Sequence, residues 1–205
     1  RLALSAGVRY ERFVVEDAEA SQPVFRAGAT YRVFQATYLR ASYGQGFRFP
    51  TIGERFISTN VGNLRVYPNP DLQPEHSWNV EGGIKQGFKM GGFMGYFDAV
   101  VFQQDFQNYV EFTFGQWGLP PYTLANLIGL GFKSVNTGGA RVTGYELELA
   151  GKGTIGMVEL SVLTGFTNTL PVSTTPSQRY AISPNPASPF PAGTYLNTSY
   201  DTTDH

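Results

Sequence analysis

The feature that most constrains this chain is a strict alternation of apolar and polar residues over unusually long segments. In residues 2–11 the even positions hold Leu, Leu, Ala, Val and Tyr, while the odd positions are small or charged. A period of two belongs to a β-strand with one apolar and one polar face, whereas a helix would spread these residues around its axis. The sequence therefore predicts strands at 2–13, 27–47, 77–89, 93–114, 140–150 and 155–167.

The predicted strands and their connections differ in length in a regular way. The segments 27–47 and 93–114 are far longer than the 5–6 residues, roughly, of ordinary soluble strands. Short turns are expected at 87–92 and 151–154, and a seventh strand is expected to begin within 195–205. Long connections are expected at 48–75, 114–139 and 171–193. Tight turns at one end and long loops at the other are typical of transmembrane β-barrels, so the sequence favours an all-β antiparallel barrel segment of six or seven strands.

The composition excludes several classes of function. The net charge of −1 provides no basic surface for nucleic acid. The chain has no cysteine, so it contains neither a disulfide framework nor a thiolate metal site. No apolar run reaches the length of a transmembrane helix. Only 15% of residues are charged and 15% are aromatic, which suits strands whose alternate residues meet lipid.

Three motifs occur in a fixed order along the chain. They are YLRASYGQGFRFPTIGERF (38–56), NPDLQPEHSWNVEGGIKQG (69–87) and VNTGGARVTGYELEL (135–149). In this order they resemble the C-terminal barrel half of the TonB-dependent outer-membrane receptors, and GVRYE (7–11) resembles an earlier strand of that barrel. The matching positions are Asn69, Pro70, Leu72, Pro74, Glu75, Glu81 and Gly82, then Asn136, Gly138, Ala140, Gly144 and Glu146.

The resemblance implies a fold, a location and partners. The family's barrel has 22 strands around a plug, so residues 1–205 are interpreted as a partial barrel, with the plug and the closing strands outside this chain. The implied function is binding of a scarce extracellular solute, such as an iron chelate, cobalamin or an oligosaccharide, and its import by energy-coupled gating. The implied partners are the lipid of the bacterial outer membrane, the solute, and the TonB complex acting through the plug.

The alternating faces and the loops give candidate residues. Charged residues on or beside polar faces are expected to face the lumen: Arg40, Arg48, Glu75, Glu81, Arg141 and Glu146. Aromatic residues of the apolar faces are expected to meet lipid: Tyr10, Tyr43, Trp78 and Phe97. Three loop aromatics are candidates for contact with the solute: Trp117, Tyr122 and Phe132. Gly144 is expected to mark a bulge or a change of parity within its strand.

A soluble, secreted β-sandwich that binds carbohydrate or another ligand through its aromatic loops is the alternative. Catalysis finds little support, because the two histidines, His76 and His205, lie in no metal-ligand or triad pattern. The sequence therefore predicts a protein that is not an enzyme and needs no cofactor or metal.

Overall fold

The computed structural model describes residues 1–15, 18–119, 121, 123, 124 and 129–177. Within these residues the chain is almost entirely β-structure. Its elements, in chain order, are β1 (Leu2–Val15), β2 (Ala18–Phe34), β3 (Thr37–Arg48), α1 (Ile52–Phe56), β4 (Thr59–Val61), β5 (Leu64–Tyr67), β6 (Glu75–Met90), β7 (Phe93–Gln107), β8 (Val110–Gln116), β9 (Leu130–Asn136), β10 (Ala140–Ile155) and β11 (Val158–Ser173).

Seven long strands form one antiparallel sheet in the order β1-β2-β3-β6-β7-β10-β11. Residues paired across neighbouring strands share a face of the sheet, so the register defines rows of side chains. One row crosses all seven strands and is apolar throughout: Leu2, Tyr31, Leu39, Ile84, Ala99, Leu147 and Phe166. A neighbouring row on the other face contains Tyr38, Lys85, Asp98 and Glu148. The two-faced strands that the alternation predicts are thus confirmed.

Connections of very different length leave the two ends of this sheet. At one end three turns of two residues join the strands, at 35–36, 91–92 and 156–157. Gly91 and Gly156 have positive φ angles of 59° and 63°, a conformation that favours glycine. At the other end the long connections 49–74 and 108–139 leave the sheet. The sorting of short and long connections follows the sequence prediction from β2 onward, but β1 and β2 are joined at the end of the long connections by only two residues, 16–17. Residues 16–17 and 178–205, with the seventh strand expected at 195–205, lie outside the described residues.

Three boundaries predicted from the sequence are wrong. The segment 27–47 is two strands, because the chain turns at Gln35 and Ala36, a pair without glycine or proline. The turn expected at 151–154 lies inside β10, where a side chain at 151 would meet the Phe93 ring and one at 153 would meet the Gly92 carbonyl and the Phe93 Cα atom. The segment 93–114 breaks at Asn108, whose φ of 55° directs the chain out of the large sheet.

The two long connections build a second, smaller sheet beyond the end of the large one. Its order is β4-β5-β9-β8, and β5 pairs with β9 in parallel. Here the described residues bury most of their apolar core, including Phe49, Val66, Leu72 and Val135. The large sheet, in contrast, leaves apolar side chains such as Leu4 uncovered, at 73% exposure. No helix in the described part of the chain is long and apolar enough to span a bilayer.

Candidate functional site

The apolar face of the large sheet forms a band. Its border is polar at the end of the sheet from which the long connections leave. Along β10 the band extends from about Gly153 to Thr143, roughly 33 Å of strand, or about 23 Å of height at a tilt of 45°. That height is close to the outward apolar band of transmembrane barrels, about 25 Å. The aromatic residues Tyr10, Tyr43, Trp78 and Phe97 all lie on this face.

Arg141 lies on this apolar face and marks its border. The pairing of β10 with β7 runs without a break, so Gly144 marks no bulge and the expectation that Arg141 shares a face with Glu146 is wrong. Arg141 Nε donates to Asp105 Oδ1 at 2.6 Å, and Gln103 Nε2 donates to Asp105 Oδ2 at 2.8 Å. These polar groups lie above Tyr145 on the same face, where the apolar band ends.

The polar face carries a network of opposite charges. Arg40 Nη1 lies 3.0 Å from Asp98 Oδ2, and Lys85 Nζ lies 3.8 Å from the same oxygen. Lys85 also lies 3.6 Å from the centre of the Tyr96 ring, and the Tyr96 hydroxyl donates to Glu148. Asp98 is only 7% exposed, so its charge is largely removed from solvent and depends on these cations.

Two further carboxylates predicted from the sequence share the polar face with Arg40. Glu81 accepts hydrogen bonds from Ser42 and Asn79, each at 3.4 Å. Glu146 lies in the row of Arg40, across Gly83 and Val100.

Arg48 joins the upper end of the sheet to the first long loop. Its Nη1 donates to both oxygens of Glu54 at 2.9 Å, and its Nε donates to Glu75. Glu54 also closes a capping box with Thr51 at the start of α1. Partial burial acts to raise the pKa of Glu54, but hydrogen bonds from Thr51 and Arg48 outweigh it and hold that pKa below its usual value.

A set of amides and one carboxylate ties the two long loops together. We call it the loop clamp: Asn69, Gln73, Glu75, Asn108 and Asn136. Asn136 Nδ2 donates to the carbonyls of Asn108 at 2.7 Å and Gln73 at 3.1 Å, and its Oδ1 accepts from the Gln73 N–H at 2.9 Å. The bonds of its other members tie the same two loops together.

Three further hydrogen bonds of the loop clamp also join the first long loop to the second. Asn69 Nδ2 donates to the Ser134 carbonyl at 2.8 Å, and Glu75 Oε1 accepts from the Val110 N–H at 2.7 Å. Asn108 Nδ2 donates to the Pro74 carbonyl at 3.3 Å. The second and third sequence motifs therefore meet at one place in space.

Arg55 anchors α1 and was not singled out from the sequence. It is only 6% exposed, and both its Nε and its Nη2 donate to the Pro70 carbonyl. Its guanidinium carbon lies 5.3 Å from the centre of the Phe49 ring and 5.1 Å from that of Phe56. An arginine on a short helix is normally exposed, and only its flanking aromatic residues could have indicated this burial.

The loop aromatics lie on opposite faces of the small sheet. Phe132 stacks on Phe112 with ring centres 5.2 Å apart and meets Phe114 edge-on at 5.3 Å. Phe112 is 57% exposed and Phe114 49%, and neither was singled out, although they alternate in sequence on one face. Trp117 lies near Lys133, on the other face. Tyr122 lies outside the described residues.

A family model for the β-barrel of TonB-dependent-receptor-like proteins matches residues 1–204. The chain belongs to this family. It is 28% identical over 135 residues to the hemoglobin and hemoglobin-haptoglobin-binding protein A of Haemophilus influenzae. This match covers 65% of the chain and 12% of that protein. It is 24% identical over 161 residues to a hemoglobin-haptoglobin-binding protein A of the same species, covering 78% and 14%. The matched part of the chain thus spans about an eighth of the length of these two proteins.

Solved receptor structures share the fold of this TonB-dependent receptor barrel segment. The hemophore receptor HasR of Serratia marcescens, in complex with its hemophore HasA and heme, matches with a TM-score of 0.62 and 18% identity, over 82% of this chain and 29% of that one. The FrpB iron transporter of Neisseria meningitidis matches with a TM-score of 0.54 and 19% identity, over 84% and 24%. These proteins are receptors and transporters, and none of the comparisons supports the soluble β-sandwich.

Proposed function

We propose that this chain forms part of the wall and outer surface of an outer-membrane receptor that binds a scarce extracellular solute and imports it by TonB-dependent gating. The observation that carries the proposal is the two-faced sheet, with tight turns at one end and hydrogen-bonded loops at the other. The apolar face would meet lipid, the polar face would line the lumen, and the loops would face the medium. Contact with TonB would pass through a plug outside this chain.

The solute is an iron-bearing compound in this proposal, either haem or an iron chelate. The support comes from the relatives, whose names specify hemoglobin binding, and from structural neighbours that are a hemophore receptor in complex with heme and an iron transporter. The histidine of the described residues, His76, lies in a row with Phe47 and Gln107, on the apolar side. This segment would therefore hold the solute by aromatic and charged contacts rather than by a histidine ligand from the lumen wall.

The function is tested by deleting the gene in the bacterium that carries it. The mutant is grown with haem, hemoglobin, a ferric chelate, cobalamin or an oligosaccharide as the limiting nutrient. We expect slower growth on one iron source and unchanged growth on cobalamin and the oligosaccharide, with recovery when the full-length gene is restored. Unchanged growth on every iron source, or recovery of the protein in the soluble fraction of the cell, would refute the proposal.

A further inference from the structure

One face of the small sheet carries two aromatic rings that lie on glycines. Gly115 of β8 and Gly131 of β9 are directly paired. A Cβ atom at 131 would lie 2.7 Å from Cε2 of Tyr67, and one at 115 would lie 3.3 Å from Nε1 of Trp117. The phenol and the indole therefore pack on two paired glycines. A Cβ atom at 131 would clash with the Tyr67 ring, and one at 115 would require the Trp117 ring to shift by a few tenths of an ångström.

Two cations lie beside these rings. The Lys133 ammonium is 5.4 Å from the centre of the Trp117 ring, and the Arg65 guanidinium carbon is 5.6 Å from that of Tyr67. Lys133 is also the register partner of Tyr67, so all four side chains belong to one face. We call Arg65, Tyr67, Trp117 and Lys133 the cation–ring patch.

The patch has charge and hydrogen-bonding capacity that its own residues do not use. Within the described ranges, neither Arg65 nor Lys133 is within ion-pair distance of a carboxylate, and the guanidinium of Arg65 donates a hydrogen bond only to the Ser58 hydroxyl, at 3.2 Å. In that same part of the chain the Trp117 Nε1 is buried and has no acceptor. A buried donor without a partner is unfavourable.

We propose that the cation–ring patch binds a flat, conjugated compound that carries carboxylates. Aromatic faces stack on a planar conjugated system, and the two cations would pair with carboxylates at its edge. A neutral sugar would leave both cations unused, and a compact inorganic anion would leave the rings unused. The inference rests on the proposed function and deepens it, because it names the chemical class of solute that the loops would hold.

The test uses the full-length receptor in detergent and protoporphyrin IX as the probe, a metal-free planar compound with two carboxylates. Its dimethyl ester has the same ring without the charges. We expect the wild-type receptor to bind the acid, and the double variant Arg65→Gln/Lys133→Gln to bind it roughly tenfold or more weakly, as expected when charge-assisted contacts are lost. The ester should bind weakly to both proteins. Binding is followed by absorbance titration of the porphyrin.

Matched controls separate the patch from general charge and from folding. Lys89→Gln/Lys152→Gln removes two cations near the tight turns at the other end of the sheet and should bind protoporphyrin as the wild type does. Phe112→Ala alters the opposite face of the small sheet and should also leave binding unchanged. Equal thermal transitions of all variants would show that folding is intact.

Several results would overturn the inference. One is an affinity of the Arg65→Gln/Lys133→Gln variant for protoporphyrin equal to that of the wild type. Another is equal binding of the ester and the acid by the wild-type receptor. The third is a variant that no longer captures a whole haem protein but still binds protoporphyrin as the wild type does. The failure of the inference is distinguishable from that of the proposed function. A receptor that supports growth on iron but binds porphyrin independently of the patch refutes only the inference.

Discussion

Asn136 makes three hydrogen bonds across two loops that are distant in sequence, and its loss should loosen them. In Asn136→Ala the N–H and the carbonyl of Gln73 and the carbonyl of Asn108 lose their partner. At about 1 kcal/mol for each bond, we expect the loop clamp to lose roughly 2–3 kcal/mol of local stability. Hydrogen exchange at the Gln73 amide should accelerate by about tenfold or more.

A second asparagine provides the control for this substitution. Asn79 is of the same type, but its side chain makes one long contact, at 3.4 Å, with Glu81. Asn79→Ala should leave exchange at the Gln73 amide unchanged. If Asn136→Ala also leaves it unchanged, the amide bonds do not hold the loops together.

Glu54 makes the start of α1 sensitive to acid. Its pKa is lowered in the folded chain, so its contribution is complete above the ordinary glutamate value and is lost as the pH falls through the lower, folded value. Protonation weakens its bonds with Arg48 and Thr51. We expect proteolysis near α1 to increase below about pH 4, and Glu54→Gln to remove most of that pH dependence. An equal pH dependence in wild type and variant would contradict this role.

Within β10, Gly144 permits close packing against both neighbouring strands. A Cβ atom at Gly144 would lie 2.2 Å from the Asn168 carbonyl oxygen and 2.6 Å from the Phe102 ring. Because one of these neighbours is backbone, Gly144→Ala should destabilise the sheet by roughly 1–3 kcal/mol. Gly82 is the matched control, since nothing lies within 4 Å of a Cβ atom placed there. Unfolding followed by circular dichroism in detergent compares the two, and equal stabilities would disprove the packing argument.

The same packing explains where strand boundaries could and could not be predicted. The turn at Gly91 and Gly92 was predictable, because a positive φ angle there favours glycine. The glycines at 151 and 153 looked like another turn, yet they lie within β10, where Gly151 makes room for the Phe93 ring and Gly153 for the backbone at Gly92 and Phe93. That ring comes from another strand, so no local pattern could reveal it.

For the whole molecule, the sequence predicted the face of the sheet on which each side chain lies better than it predicted the contacts between the loops. Alternation was sufficient to assign Leu39 and Arg40 to opposite faces, because side chains in a strand alternate by geometry. Strict alternation would also have assigned Arg141 correctly to the face of Tyr145. Its assignment to the polar face depended on the assumed bulge or change of parity at Gly144. The loop clamp depends on Asn69 and Asn136 meeting across two loops. A motif can indicate such residues, but their partners follow only from the folded loops.

The orientation of the large sheet in a membrane is tested by two neighbouring residues of β11. Phe166 lies on the apolar face at 55% exposure, in the row of Leu147, while Thr167 lies on the polar face opposite Glu146. An arginine facing lipid near the middle of a bilayer costs about 2–4 kcal/mol, whereas an arginine facing a wet lumen costs little. Phe166→Arg should therefore reduce the folded full-length protein recovered from outer membranes and lower its stability in lipid vesicles. Thr167→Arg should leave both unchanged, and Phe166→Leu separates charge from loss of the ring. Equal recovery of the two arginine variants would mean that the apolar face does not meet lipid.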